Sequence, residues 1–392
     1  RLNRTQFFSD VNIETPAVPG STDQVDLKVK VKERNTGSIM FGAGLSSSEG
    51  LVGSFNVTQA NFLGTGDRVS AQINTGSVNK TYSLSVTKPF YTPEGISLGY
   101  DVYRRDVNTS SLNVVTYNTS SYGAGIRFGV PLSEKNAISY GLTLDNTEVS
   151  NLVVNTSPSR YISYCSKVTG TANSTGCTMN SLTASLGWSI DSRDDILFPK
   201  KGELRRVNAE ITTPGLDIQM YKLTLQETWY KDVTKDLTVM LNGQFGYANS
   251  YGGHEFPFFK NFYVGGVNTV RGYAQGSIGP VCLATDSSCG AATSTTNMFM
   301  GGNKQVIANA ELFMPVPFIK NNNQFRLSAF IDAGNVYSMD QSVTLGDLRY
   351  SAGMGVLWVS PFGPLKLVYA KPFNNQSTDK TESIQFQMGQ QF

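Results

Sequence analysis

The residues of this chain with the most pronounced chemistry sit inside one long connection. Val270-Arg271-Gly272-Tyr273 lies near the middle of residues 252–302, and structureless connections of that length are usually functional. Arginine is always charged and presents five donors, so in a buried setting Arg271 requires carboxylate partners. Two candidates occur at polar-side parity on alternating segments: Glu311, beside Ile307 and Asn309, and Asp332, beside Ser328. The plainer reading is an exposed loop arginine and two unrelated carboxylates. The same connection holds the single histidine, His254. A hydrolase would set such a base beside a nucleophile, but no GxSxG context surrounds it, so no enzymatic activity is expected.

Four cysteines fall as two close pairs, Cys165 with Cys177 and Cys282 with Cys289. Three connectivities are possible, and the two local bridges are the natural choice. Free or metal-binding thiols are the alternative; neither pair has CxxC spacing or a nearby histidine. No metal and no cofactor is expected.

The elements that must position these residues read as strands. From residue 38 onward the chain falls into segments of about ten residues with strict alternation. Ile96, Leu98, Tyr100 and Val102 alternate with Ser97, Gly99, Asp101 and Tyr103; Ile138, Tyr140, Leu142 and Leu144 alternate with Ser139, Gly141, Thr143 and Asp145. One face is apolar and aromatic, the other polar or glycine. Sixteen such segments are expected, the last over residues 382–392. Strands of nine to eleven tilted residues suit a membrane barrel with lipid outside and a wet lumen inside. Charged residues make up only 16% of the chain and the net charge is +2, which fits such a barrel and gives no reason to expect nucleic acid as a partner. Connections alternate between a mostly short set and a set containing the long ones, 109–119, 152–180, 252–302 and 338–348, the pattern of periplasmic turns and external loops. An even strand count sets both ends in the periplasm, and the first strand must close on the last.

Residues 1–35 differ. Residues 1–11 read as the end of a short helix, and Val25 to Lys32 alternate as a half-buried strand of a soluble α+β module. The start at Arg1 has no signal-peptide pattern, so a mature or truncated product is expected.

Val270-Arg271-Gly272-Tyr273 resembles the VRG(F/Y) signature of the BamA superfamily. Other segments are similar to the same family. The run from Gln59 to Gly66 matches its second-strand turn. Asp191-Ser192-Arg193-Asp194 with Phe198-Pro199-Lys200-Lys201-Gly202 matches its strand 8–9 turn, and the run from Ser351 to Leu365 its strand 14–15 hairpin. Val29-Lys30-Val31-Lys32-Glu33-Arg34 matches the end of the POTRA module before the barrel. The resemblance implies an all-β fold: a sixteen-stranded antiparallel transmembrane β-barrel over residues 36–392, preceded by a C-terminal POTRA fragment over 1–35. It implies that the loop folds into the lumen and that Arg271 bonds both Glu311 and Asp332. It also implies an insertase for β-barrel proteins in the bacterial outer membrane. The partners would be unfolded outer-membrane proteins, accessory lipoproteins that bind mostly through POTRA modules missing here, and outer-membrane lipid. A TamA-like or two-partner secretion transporter is the alternative; the latter begins with a plug helix not found here.

Glycines crowd the first two strands, Gly42 and Gly44 among them, and Gly389 sits in the last. Each weakens a strand. Glycine kinks also serve ordinary barrel curvature. The alternative is a weak lateral seam, with Ile39, Phe41, Gly42 and Gly44 on one side and Phe386, Gly389 and Phe392 on the other. A terminal aromatic such as Phe392 also resembles the recognition signal of outer-membrane proteins.

Overall fold

A computed structural model of the chain describes residues 7–16, 18–20, 24–196, 198–283, 289, 297–316, 324–360 and 363–389. Strands β1 (Phe8–Glu14) and β2 (Lys28–Glu33) form an antiparallel hairpin in which Val11 opposes Val31 and Ile13 opposes Val29. Residues 8–11 are therefore strand rather than the expected end of a helix: Val11 and Ile13 share a face at period two, and pairing with β2 satisfies their backbone groups. Residues 1–6 lie outside the described residues. The burial expected for β2 is also absent. All six of its residues are exposed, and among the described residues no other element packs broadly on the hairpin.

The remaining strands are β3 (Gly37–Ser46), β4 (Gly50–Gln59), β5 (Arg68–Thr75), β6 (Asn79–Lys88), β7 (Ser97–Asn108), β8 (Asn118–Pro131), β9 (Asn136–Ser150), β10 (Cys177–Asp191), β11 (Gly202–Thr212), β12 (Met220–Asp232), β13 (Thr238–Ser250), β14 (Val281–Cys282), β15 (Met298–Phe299), β16 (Lys304–Met314), β17 (Phe325–Tyr337), β18 (Arg349–Ser360), β19 (Gly363–Phe373) and β20 (Ile384–Met388). Strands β3 to β13 and β16 to β20 form one closed antiparallel barrel of sixteen strands; β14 and β15 are a small separate pair. The last strand is shorter than the alternation suggests. Gly389 adopts φ +76°, and this left-handed turn of the backbone ends β20. Phe392 lies outside the described residues.

Alternation sorts the wall into two surfaces. Tyr100, Val102, Ile126, Leu142, Leu144, Leu186, Phe245, Ile331 and Met354 point outward and are exposed. Burying one such side chain is worth about 1.5–3 kcal/mol. An apolar belt on this scale is stable only where lipid replaces water. The inward positions are polar: Thr228 bonds Asn242, which in turn bonds Asn309 across three neighbouring strands. Aromatic rings gather at the rim of short turns, where Phe128 stacks on Tyr140 and Phe325 on Trp358. That is the usual place for such rings at a membrane edge.

At the opposite rim the long connections fold over the barrel. The β9–β10 connection contains α1 (Ser159–Thr169), a helix not anticipated in the sequence, stopped by Gly170 in the left-handed conformation. Tyr161, Ile162, Tyr164 and Cys165 are its buried residues. Tyr161 stacks on Phe258 from the long 251–303 connection, at 3.9 Å between ring centres. Cys165 is bonded to Cys177 at the start of β10, and Cys282 to Cys289 within the long connection.

Candidate functional site: a lumen arginine and a short seam

The long connection between β13 and β16 enters the barrel and presents Arg271 to the inner wall, where the residue is 3% exposed. Its position follows from neighbours. Gly272 takes φ +88°, and a Cβ there would stand 3.0 Å from the Ala370 side chain, so only glycine lets the loop lie this close to β19. Tyr273 is fully buried, and its hydroxyl donates to the carbonyl oxygens of Tyr350 and Phe373.

Arg271 meets two carboxylates. Its Nε and Nη2 donate to the two oxygens of Asp332 on β17, each at 2.7 Å, and its backbone N–H adds a third bond to Asp332 at 3.0 Å. Nη1 donates to Glu311 on β16 at 2.9 Å. The guanidinium carbon also lies over Phe330, 3.4 Å from the ring centre. This is the planar, two-pronged recognition that lysine cannot copy. Asn309 completes the Asp332 shell, donating through Nδ2 to Oδ1 at 2.8 Å and to the Thr269 carbonyl at 2.7 Å. One cation against two carboxylates leaves a negative excess. Lys366 lines the same cavity of about 280 Å³ and donates to the Val267 carbonyl, so the cluster balances.

Lys366 was not picked out from the sequence, nor were two further contributors. Gln385 on β20 is 1% exposed. Its Oε1 accepts from the Gly272 N–H, and its Nε2 donates to the Tyr273 carbonyl oxygen. Arg349 forms a second buried ion pair with Asp379, in the connection leading into β20. Backbone bonds from Glu382 to Gly272 and from Ala274 to Lys380 run alongside. Loop and final strand are thus stitched together from within the lumen. Inward parity at Gln385, between Ile384 and Phe386, was the available signal, but a glutamine in an alternating strand gives no hint of its partner.

The barrel closes where β20 meets β3, and among the described residues only Gln387↔Ser46 and Met388↔Leu45 pair there. By contrast β18 and β19 pair from Tyr350↔Phe373 to Ser360↔Gly363. Gly44 and Gly389 approach closely: a Cβ on Gly389 would stand 2.4 Å from the Ala43 carbonyl oxygen, and one on Gly44 2.5 Å from that of Met388. Ile39 and Phe41 belong to the part of β3 below these pairs, and Phe41 is 81% exposed, resting on Phe55 of β4. Gly42 faces Ser54 of β4 rather than β20. Phe386 pairs with Leu367 of β19, and the Ser47 N–H donates to its carbonyl.

His254 lies in the turn that follows β13, and among the described residues no group of three or more His, Cys, Asp or Glu could hold a metal ion. Within the lumen cluster the charges satisfy one another, and the loop is joined to β16, β17 and β20.

Comparisons with known proteins match this arrangement. Residues 61–392 match the family described as the Omp85 superfamily domain. The chain is 35% identical to the outer membrane protein assembly factor BamA of Neisseria meningitidis serogroup B over its full length, and it spans about half of that relative, 51%. The crystal structure of BamA from Haemophilus ducreyi lacking POTRA domains 1–3 superimposes with a TM-score of 0.88 at 31% identity, covering 100% of this chain and 77% of that one. CdiB from Acinetobacter baumannii, at 12% identity and a TM-score of 0.58 over 99% of this chain and 67% of its own, shares the fold alone. A sixteen-stranded outer-membrane barrel, holding a lumen loop by a buried arginine and matching one family model along most of its length, leaves one assignment: the chain belongs to the Omp85 superfamily.

Proposed function

We propose that this barrel inserts other β-barrel proteins into the bacterial outer membrane, and that the β3/β20 seam is where it does so. The single observation that carries the reading is that, among the described residues, β20 pairs with β3 at only two positions. Each hydrogen bond contributes about 0.5–1.5 kcal/mol net, so opening this seam costs far less than parting any neighbouring pair. An opened seam exposes unpaired N–H and C=O groups at a strand edge within the membrane. Such an edge templates an incoming strand by β-augmentation, and insertion needs no bond chemistry. The relatives whose printed role is outer-membrane assembly support the same reading.

In this account the rim of short turns faces the periplasm, with both chain ends, and the β1–β2 hairpin is the tail of a POTRA module. Substrates are unfolded outer-membrane proteins, and accessory lipoproteins engage chiefly through further POTRA modules. The lumen cluster keeps Gln385, and through it β20, in register while the β3 side is free to separate. Reconstitution tests this directly. The full-length protein containing this chain, in vesicles of outer-membrane lipid with its accessory lipoproteins, should accelerate appearance of the protease-resistant form of an added unfolded barrel. Folding no faster than in protein-free vesicles would contradict it.

A further inference from the structure

Charged side chains on the lipid side of a barrel are costly and therefore informative. One cluster stands out on the outer face of the wall. On β12 the outward positions are Leu225, Glu227, Trp229 and Lys231, all exposed. Arg205 of β11 is the register partner of Glu227 and bonds it at 2.7 Å; it also reaches Glu203 at 3.4 Å. The Lys231 ammonium lies 5.8 Å from the centre of the Trp229 ring and makes no ion pair among the described residues. Two cations and two anions thus sit side by side, near the rim of short turns, in a belt where an aromatic marks the interface.

A groove leads away from this cluster. Glu227 pairs with Gly243, Gly243 with Ala308, Ala308 with Ala333 and Ala333 with Tyr350. The row below runs through Trp229, Leu241, Ala310 and Ile331. The small residues leave a trough of about 650 Å³ between bulkier walls, and nothing stands within 4 Å of where a Gly243 Cβ would be. Four strand spacings make the row about 19 Å long. Glu227 lies five residues from the short-turn end of β12 and Tyr350 one residue from the long-loop end of β18, so across tilted strands the trough climbs obliquely through roughly one leaflet, which is about 15 Å of hydrocarbon.

From these two features together we infer that the outer wall over β11–β13 and β16–β17 holds one phospholipid with a primary-amine zwitterionic headgroup. The acyl chain fills the trough over Gly243, Ala308 and Ala333. The Glu227 and Glu203 carboxylates accept from the lipid ammonium, and Lys231 pairs with its phosphate. A quaternary choline headgroup has no N–H to donate and fits the carboxylates less well. This inference rests on the membrane orientation proposed above.

Photolabelling tests it. The protein is reconstituted with tracer phosphatidylethanolamine carrying a photoreactive group in its acyl chain, or with the matching phosphatidylcholine. The ethanolamine probe should label peptides containing Ala308 and Ala333 about fivefold more than the choline probe does, the scale of one favourable interfacial charge contact. Glu203→Gln with Glu227→Gln should remove that preference, and Ala308→Phe should remove the label from this wall with either probe. Equal labelling by the two probes, or a preference unchanged in these variants, overturns the site. Label from neither probe anywhere on the outer wall overturns the membrane reading itself, and the site with it.

Discussion

Gln385 and Tyr273 are joined across the lumen: the Gln385 Nε2 donates to the Tyr273 carbonyl oxygen at 2.7 Å, while the same side chain accepts from Gly272. The final strand of the barrel therefore holds the loop that carries Arg271, and the loop holds the strand. On its other side, among the described residues, β20 has two residue pairs with β3. From inside, the strand is tied to the lumen loop through Gln385.

Gln385→Leu keeps the volume but leaves the Gly272 N–H without a partner, and the Tyr273 carbonyl keeps only the Gly266 N–H. An orphaned buried group costs about 1–3 kcal/mol. The folded form should convert to the unfolded form at lower temperature on heated electrophoresis, and the loop over residues 268–276 should lose protection in hydrogen exchange. Unchanged protection there would remove Gln385 from the account.

Arg271→Ala strands two buried carboxylates, and breaking such a pair typically costs 3–5 kcal/mol. Arg271→Lys retains charge but not the two-pronged contact with Asp332, so its loss should be intermediate. Equilibrium urea unfolding in detergent measures both. A double-mutant cycle with Asp332→Ala should give strong coupling; additive losses would mean that the side chains act independently.

Gly389→Ala meets two obstacles, a left-handed φ and a Cβ within 2.4 Å of the Ala43 carbonyl oxygen. The end of β20 must shift away from β3. Spin labels on Leu45→Cys and Leu367→Cys should report a wider or broader separation than in the parent, with the other strands unaltered. An identical distance distribution would show that the kink is not required.

Cys165→Ser with Cys177→Ser removes the tie between α1 and β10. A closed loop of this size stabilises by about 3 kcal/mol. Because the barrel hydrogen bonds are untouched, proteolysis should nick residues 151–176 sooner while the barrel stays folded. Loss of the barrel itself would show that the external cap is needed for its closure.

Much of this architecture was legible in the sequence, because a strand with lipid on one face and water on the other must alternate. Tyr100, Leu142 and Phe245 mark the outer surface by parity alone, and the turn residues divide the strands. Glu311 and Asp332 were candidates because buried arginine demands acid and both stand at inward parity; that Arg271 bonds both was implied by the family resemblance. Three features were not legible. β1 escaped notice because its apolar pairs, Val11 with Val31 and Ile13 with Val29, depend on a partner strand distant in sequence. The helix α1 owes its burial to Phe258, nearly a hundred residues away, and its own apolar face is short. Gln385 is a polar residue at an inward position like many others, and only the fold reveals what it meets.

The proposed insertion requires opening of the β3/β20 seam, and a reversible bolt across it is the most direct test. Leu45 and Met388 are register partners, so Leu45→Cys with Met388→Cys can bridge them. Insertion of an unfolded barrel by the reconstituted full-length protein should fall to the rate of protein-free vesicles once the bridge forms, and return on reduction, with the parent protein under the same reductant as control. Parent-like insertion by fully bridged protein would contradict the account.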